Sequence, residues 1–350
     1  MALTVIVMML PRSTHDVAKI KSQSVFVRAD KTRNIYELGK DRYQKLVTEN
    51  ITRHYKTVGE DAYGEINTEA QHIASKHRIA DRMDVMAKRE AFLTLKDHKE
   101  NFEEKLPCRL INPTKTEMGI VSKRILDDIN RKLRAKLDVT LWKNTAEVLA
   151  WFRLIEDKPH CTFTSFDVVE FYPSITEDLL RKALDFAKCH VDITDDEIDI
   201  IWHSRKSLLF SKGRAWAKRD NAGLFDVAMG SFDSVEVCEV VGMFALAQLP
   251  VRYRSTLGLY RDDGLGVFHG ISGSEAERVS QDLRKHFDAL GLRIKIASNL
   301  KITHFLDVTL NLNNGKHYPC RKPNDTPLYV HRQSNHPPSL STCQRPLAGD

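Results

Sequence analysis

Leu257-Gly258-Leu259-Tyr260-Arg261-Asp262-Asp263-Gly264-Leu265-Gly266-Val267 is the stretch on whose reading the fold turns. Leu257, Leu259, Leu265 and Val267 alternate on either side of a polar centre, the pattern of two short half-buried strands, and Asp263-Gly264 is a hairpin-turn dipeptide. Two adjacent acids at the tip of such a hairpin repel each other and weaken the turn unless a cation sits there. Taken alone, the residues read as a solvated polar turn. A second acidic strand end, Asp167, changes the balance. It closes Thr162 to Val168, a β-branched and aromatic run that predicts a strand. An acid at that position is, by itself, also a loop residue or a helix cap. If strand and hairpin are neighbours in one sheet, the carboxylates of Asp167 and Asp262, with Asp263 beside them, converge at one edge. Carboxylate oxygens are the hard ligands Mg2+ prefers, with phosphate and water completing its octahedron. Two such ions ~3.5–4 Å apart can activate an attacking hydroxyl and stabilise the leaving oxygen in phosphoryl transfer. The protein then supplies positioning and charge neutralisation.

The surrounding periodicities predict an α+β arrangement. Ser174-Ile-Thr-Glu177, Thr194-Asp-Asp-Glu197, Asp233-Ser-Val-Glu236 and Ser274-Glu-Ala-Glu277 have capping-box form and open four helices. Leu292, Ile294 and Ile296 alternate after the last of them, and Asn314-Gly315 is another hairpin turn. Strand, helix, hairpin, helix, strand predicts an antiparallel sheet with helices against one face. Upstream, Tyr43, Leu46, Val47, Ile51 and Tyr55 recur at helical spacing, and Thr68 to Glu90 is a charged helical pattern. Ala91 to Lys96 and Arg109 to Ile111 read as extended. Ser122 is placed to cap a helix with Ile125, Ile129, Leu133 and Leu137 on one face and Lys123, Arg131 and Arg134 opposite.

Composition bounds the chemistry. The 350 residues are 42% hydrophobic and 29% charged, values of a globular chain and not of a disordered or membrane protein. Met1 to Leu10 is apolar but too short to span a bilayer and lacks the flanks of a signal peptide, which predicts a buried strand or a misplaced gene start. Cys108, Cys161, Cys189, Cys238, Cys320 and Cys343 show no zinc spacing and read as reduced core residues of an intracellular protein, nuclear or cytoplasmic. The net charge is +6, and Lys105 to Lys136 holds nine Lys/Arg against three acids. Such a local field suits a polyanion, though a solvated helix face has the same composition.

The two acidic motifs resemble those of the reverse transcriptase domain of a retroelement, across roughly Lys21 to Ser339. Phe166-Asp-Val-Val-Glu-Phe-Tyr-Pro-Ser-Ile175 resembles the first palm motif, which implies a metal role for Asp167. Tyr172 stands at the steric-gate position that disfavours a ribose 2′-hydroxyl. Tyr260-Arg-Asp-Asp263 resembles the YxDD motif, 95 residues after Asp167, which implies Asp262 as second metal ligand and Asp263 as its acidic partner. Gly230 stands where the family has a glycine before a template-contacting helix, with Met229 where many members have Gln. Leu95-Lys-Asp-His-Lys99 and Arg109-Leu-Ile-Asn-Pro113 resemble the fingers motifs. By that comparison Arg109 and one of Lys96 or Lys99 grip the triphosphate, as an arginine fork and a lysine point charge can. Lys115, Lys123 and Arg124 would then line the template path through salt-sensitive backbone contacts. Lys295 falls near the next palm motif, with an approach to the triphosphate, and the Asn314-Gly315 hairpin would be the primer grip.

The resemblance implies a right-hand polymerase fold, with a helical extension over 1–90, fingers over 91–160, palm over 161–180 and 226–320, and an insertion over 181–225. Residues 321–350 would begin a connection to a thumb that is largely missing, so the chain reads as part of a larger or decayed reading frame. The string from Arg321 through Pro338 is reminiscent of Penelope-like elements. The implied activity is RNA-directed DNA polymerisation with two Mg2+ ions, Mn2+ substituting, on an RNA template, a DNA primer and dNTPs, with no membrane partner. A non-catalytic nucleic-acid-binding remnant is the alternative, and telomerase is disfavoured because its RNA-binding domain does not fit in about 90 residues. Replacing Tyr172 with Ala should raise ribonucleotide incorporation in a primer-extension assay; unaltered sugar discrimination would remove Tyr172 from the gate role.

Overall fold

The computed structural model describes residues 24–320 apart from 33, 60, 81–85, 87, 100, 114–115 and 220–223. Met1 to Leu10, Lys115, Cys343 and the tail from Arg321 therefore lie outside the described residues. The chain divides into two compact units. The smaller is built from the described parts of Met1–Lys40 and Thr94–Arg109. Its β1 (Ser24–Arg28) and β2 (Ile35–Gly39) pair antiparallel, Val27 opposite Tyr36. This hairpin lies in the stretch read as a helical extension. Its apolar alternation, Val25 and Val27 then Tyr36 and Leu38, is only two residues long on each strand, too brief to stand out. Asp97 is buried beneath it and accepts hydrogen bonds from the side chains of Thr32, Asn34 and Tyr36. Burial, reinforced by the bond to Asp97, pushes the Tyr36 hydroxyl up to about 12.

In the larger unit α1 (Lys40–His54) buries Val47 and Ile51, two of the residues placed on its inner stripe. Tyr55, read as the end of that stripe, instead opens β3 (Tyr55–Thr57), and its hydroxyl donates to Asp226 at 2.8 Å. α2 (Asp61–Lys76) starts before the expected Thr68 and stops short of Glu90, with Arg78 beyond it at φ 57°. β4 (Phe92–Leu95) and β5 (Cys108–Ile111) match the two extended segments and pair with each other. α3 (Glu117–Lys136), β6 (Thr140–Leu141) and α4 (Thr145–Leu154) follow. Then come β7 (Cys161–Val168), α5 (Glu177–Lys188), α6 (Asp195–Ser204), β8 (Leu209–Ser211) and β9 (Arg214–Lys218). α7 (Ser234–Ala247) leads to β10 (Leu257–Tyr260) and β11 (Asp263–His269), and α8 (Gly273–Ala289) to β12 (Ile294–Leu300). β13 (Ile302–Phe305), β14 (Val308–Asn311) and β15 (His317–Pro319) make a separate antiparallel sheet, with Gly315 in the left-handed turn between the last two.

The central sheet has the order β12-β7-β11-β10-β6. It is antiparallel except at its edge, where β6 runs parallel to β10. Successive residues of a strand point to opposite faces, and the sheet uses both. Phe166, Val168 and Ile294 join the core formed with α5, α7 and α8, where the Phe166 and Phe287 rings lie 5.1 Å apart. Phe163 and Leu265 face the other way, into a second core with Phe152 of α4, Trp142, and Phe305 and Leu310 of the last sheet. The expected helices on one face are present, but the opposite face is also covered along part of its length. Among the described residues no helix is long and apolar enough to cross a membrane. Of the five described cysteines only Cys161 and Cys238 are buried; Cys189 is exposed and Cys108 and Cys320 are half-buried.

Helix starts depart from the sequence reading in instructive ways. Thr194 and Glu197 do form a capping box. The box expected at Ser274 lies two residues earlier, on Ser272 and Glu275, and Thr176 rather than Ser174 caps α5. α3 begins at Glu117, capped by Thr116, so Ser122 is internal to the helix and not its cap. Its hydroxyl donates instead to the Asp233 carboxylate at 2.6 Å. Asp233 in turn makes no side-chain cap for α7. It is wholly buried and accepts from Ser204 at 2.7 Å and from the guanidinium of Arg205, itself 1% exposed. The four residues thus form one polar knot between α3, α6 and α7. Breaking a buried ion pair from one side strands the other charge, at a cost of roughly 3–5 kcal/mol. Asp233→Ala should lower unfolding stability by about that much in urea titration; a loss below ~1 kcal/mol would show that the knot contributes little.

Candidate functional site

The acidic row is set by backbone register. Asp167, one residue from the end of β7, pairs directly with Asp263 on β11 and, on its other side, with Lys295 on β12. Directly paired residues of antiparallel strands have Cα atoms ~4.5–5.5 Å apart and side chains on the same face. Asp263, Asp167 and Lys295 therefore form one cross-strand row, acid beside acid beside cation. They share the face of Phe163 and Leu265 but lie beyond its covered part: Asp167 and Lys295 are exposed and Asp263 is half-buried. Lys295 thus sits opposite the first acid, a placement the alternation of its strand did not define.

Asp262 occupies the hairpin turn. Tyr260 pairs with Asp263, so Arg261 and Asp262 form the two-residue connection, with Arg261 at φ 54°. This corrects the reading of Asp263-Gly264 as the turn: both belong to β11. The turn is anchored, because the Val168 N–H donates to the Asp262 carbonyl at 2.8 Å. Beneath the sheet, burial raises the Cys238 thiol well above its ordinary value, and the charge of Asp262 adds to the effect.

Gly264 has a packing role instead. Its partner across the ladder is Phe166, and a Cβ at 264 would lie 2.1 Å from that ring. The glycine lets Phe166 cross under β11 next to the acidic row. Gly230 is glycine for two reasons: its φ is 113°, and a Cβ would lie 2.4 Å from the Asn112 carbonyl oxygen. The Asn112 N–H also donates to the Met229 carbonyl at 3.0 Å. The close backbone approach expected for a nucleotide or template is thus occupied, at this residue, by the protein's own chain.

The remaining residues are dispersed. Tyr172 lies in a single-turn helix, Phe171–Ser174, half-buried against the helix-side core. Lys123 donates to Glu236 and, at 3.2 Å, to Asp127; burial opposes its charge, but these two bonds outweigh it and hold the ammonium above the usual lysine value. Lys123 is therefore engaged within the protein, whereas Arg124 beside it is exposed. Lys96, Lys99 and Arg109 belong to the smaller unit. There Lys99 is exposed, Lys96 is half-buried, and Arg109 pairs with Asp30 at 2.9 Å.

Among the described residues no three His, Cys, Asp or Glu side chains are placed to hold a metal ion between them. The acids on β7 and the hairpin therefore form no closed cage. The donor set is nonetheless hard oxygen only, and Mg2+ commonly takes one or two carboxylates with phosphate and water as its other ligands.

No protein-family model and no curated protein matches the chain. Solved structures do. Apo telomerase from Candida tropicalis superposes with a TM-score of 0.61 at 10% identity, over 87% of this chain and 57% of that one. The same enzyme truncated of its C-terminal domain gives 0.61 at 11%, over 87% and 65%. Telomerase from Candida albicans in complex with a TWJ fragment of telomeric RNA gives 0.58 at 11%, over 89% and 58%. The chain thus has a reverse-transcriptase-like polymerase fold, and it spans less than two thirds of the telomerase chains it matches. Gly264→Ala should destabilise the protein by about 1–3 kcal/mol, the usual penalty for overpacking, through displacement of Phe166; unchanged urea unfolding would show that the ring has room to move.

Proposed function

We propose that this chain is the catalytic core of an RNA-directed DNA polymerase. The observation that carries the reading is the register that sets Asp167 directly across from Asp263, with Asp262 in the turn tied to the next residue of β7. Asp167, Asp262 and Asp263 would hold Mg2+, or Mn2+ in its place, through carboxylate oxygens. When bound, two such ions supply an activated hydroxyl and a stabilised leaving oxygen. The chemistry is attack of a primer 3′-hydroxyl on the α-phosphate of a dNTP, forming one phosphodiester bond and releasing pyrophosphate. The acids would hold such cations against the reacting phosphate, and Lys295, on the same row, offsets part of their mutual repulsion. Tyr172 fills the space under the incoming sugar, while the nucleotide roles of Gly230, Lys96, Lys99 and Arg109 rest on the sequence motifs alone.

Nucleic acid is the natural partner. The Candida albicans telomerase holds telomeric RNA, and we extend that partner class to this chain, with Arg124 as a phosphate contact beside the engaged Lys123. The retroelement origin and the Penelope-like kinship of the tail rest on the sequence motifs. A second reading, a non-catalytic nucleic-acid binder, draws on the open character of the acid set. Extension of oligo(dT) on poly(A) with Mg2+ separates the two. Asp262→Asn should abolish extension while leaving the circular dichroism spectrum and salt-dependent RNA binding intact. Extension at the wild-type rate by this variant would refute the catalytic assignment.

A further inference from the structure

The helix that carries Tyr172, Phe171–Ser174, is a single turn, far shorter than a helix that sustains itself in water. It is entered through Glu170 at φ 51° and left at Ile175, whose N–H donates to the Tyr172 carbonyl at 3.2 Å. Phe171 and Ile175 are buried, so both ends are seated in the core. Between them the Pro173 carbonyl accepts a hydrogen bond from the ammonium of Lys218 at 2.5 Å. The last carbonyls of a helix lack intrahelical partners, and a lysine can satisfy one of them.

Lys218 is itself 8% exposed, although a lysine ordinarily keeps its head in water. It ends β9 directly opposite Tyr55 of β3, so the two side chains leave the same face of the pair. Both reach Asp226, the Tyr55 hydroxyl at 2.8 Å and the Lys218 ammonium at 3.7 Å. Asp226 is buried, and its N–H donates to the Arg205 carbonyl at 2.8 Å, which ties it to the residue after α6. Burial raises its carboxyl above the ordinary value, and the Lys218 charge and the Tyr55 hydroxyl act against that rise. A buried ammonium needs both a counter-charge and a hydrogen bond. Asp226 supplies the charge from beyond hydrogen-bond distance, and the directed bond goes to Pro173. Tyr172 adjoins that carbonyl and follows Asp167 by five residues, so a shift of the turn would move its ring relative to the first acid. We propose that Lys218, held by Asp226 and Tyr55, is a positioning residue that locks the turn of Tyr172 and so sets how strictly the site rejects a ribose 2′-hydroxyl. The sugar-selecting part rests on the polymerase reading above; the locking of the turn does not.

The test uses the full chain and two readouts. In hydrogen exchange, Lys218→Met, which keeps the length of the side chain and removes the donor, should speed exchange at the Ser174 and Ile175 amides tenfold or more while the amides of α8 exchange as in wild type. Lys218→Arg, which restores a donor, should return both amides toward the wild-type rate. In extension of oligo(dT) on poly(A), Lys218→Met should lower the ratio of kcat/KM for dTTP over UTP tenfold or more, and it should have no further effect on that ratio in a Tyr172→Ala background. If Lys218→Met does not fold, the double variant Lys218→Met with Asp226→Asn replaces it, since removing both charges strands neither. Unchanged exchange at Ser174 and Ile175 overturns the proposal. So does an equal fall in dTTP and UTP incorporation, which is what a purely structural defect would give. A wild-type chain that extends no primer refutes the catalytic reading and the sugar-selecting role together, and exchange at the turn then decides the locking role by itself.

Discussion

Everything in the larger unit is organised about the hydrogen-bonded ladder that β7 makes with β11 on one side and β12 on the other. Because the side-chain period of a strand is two residues, this ladder has one acceptable register. A slip of one residue would send Phe166 and Val168 out of the helix-side core and bring Asp167 into it. Burying a carboxylate without a partner is far more costly than any local gain. The apolar residues of β7 thereby hold the acids in position, although none of them touches a substrate. The geometry of the site is a by-product of core packing.

The same logic explains the glycines and the polar knot. A phenylalanine under the hairpin leaves no room for a side chain at Gly264, so the acidic strand stays thin where it must lie flat over the ring. Arg205 and Asp233 fix α3, α6 and α7 to one another through a charged contact that apolar packing alone would leave adjustable in rotation. The last of these helices packs against the sheet that carries the site, its Gly242 lying against Leu259 of β10. Buried pairs of this kind are weak sources of net stability, but removing one partner strands the other charge and is strongly destabilising.

The electrostatics divide by position in the sheet. Toward β12 the carboxylates of Asp263 and Asp167 meet Lys295; toward β6 the hairpin carries Arg261 next to Lys143 and Arg134. One two-residue turn thus separates a region suited to cations from one suited to anions. The function proposed for this chain would use both, because metal-bridged chemistry and simple neutralisation of a phosphate backbone need opposite charges.

Local patterns in the sequence determined the elements. The alternation around Tyr260 to Gly264, the β-branched run ending at Asp167, and the acidic first turns of the central helices set strand and helix type before any packing is considered. The acids were legible for the same reason: they stand at strand ends, where a carboxylate serves no packing purpose. Tertiary structure decided what depends on distant partners. That Gly264 yields to Phe166 and not to a turn, that Ser122 reaches Asp233 and not its own helix start, and that Lys123 is engaged by Glu236 are contacts across 98 to 113 residues of chain. The pairing of Lys295 with Asp167 belongs here as well, as does the bond from Lys218 to the Pro173 carbonyl. Periodicity reports which face of an element is apolar; it holds no information about which residue of another element that face will meet.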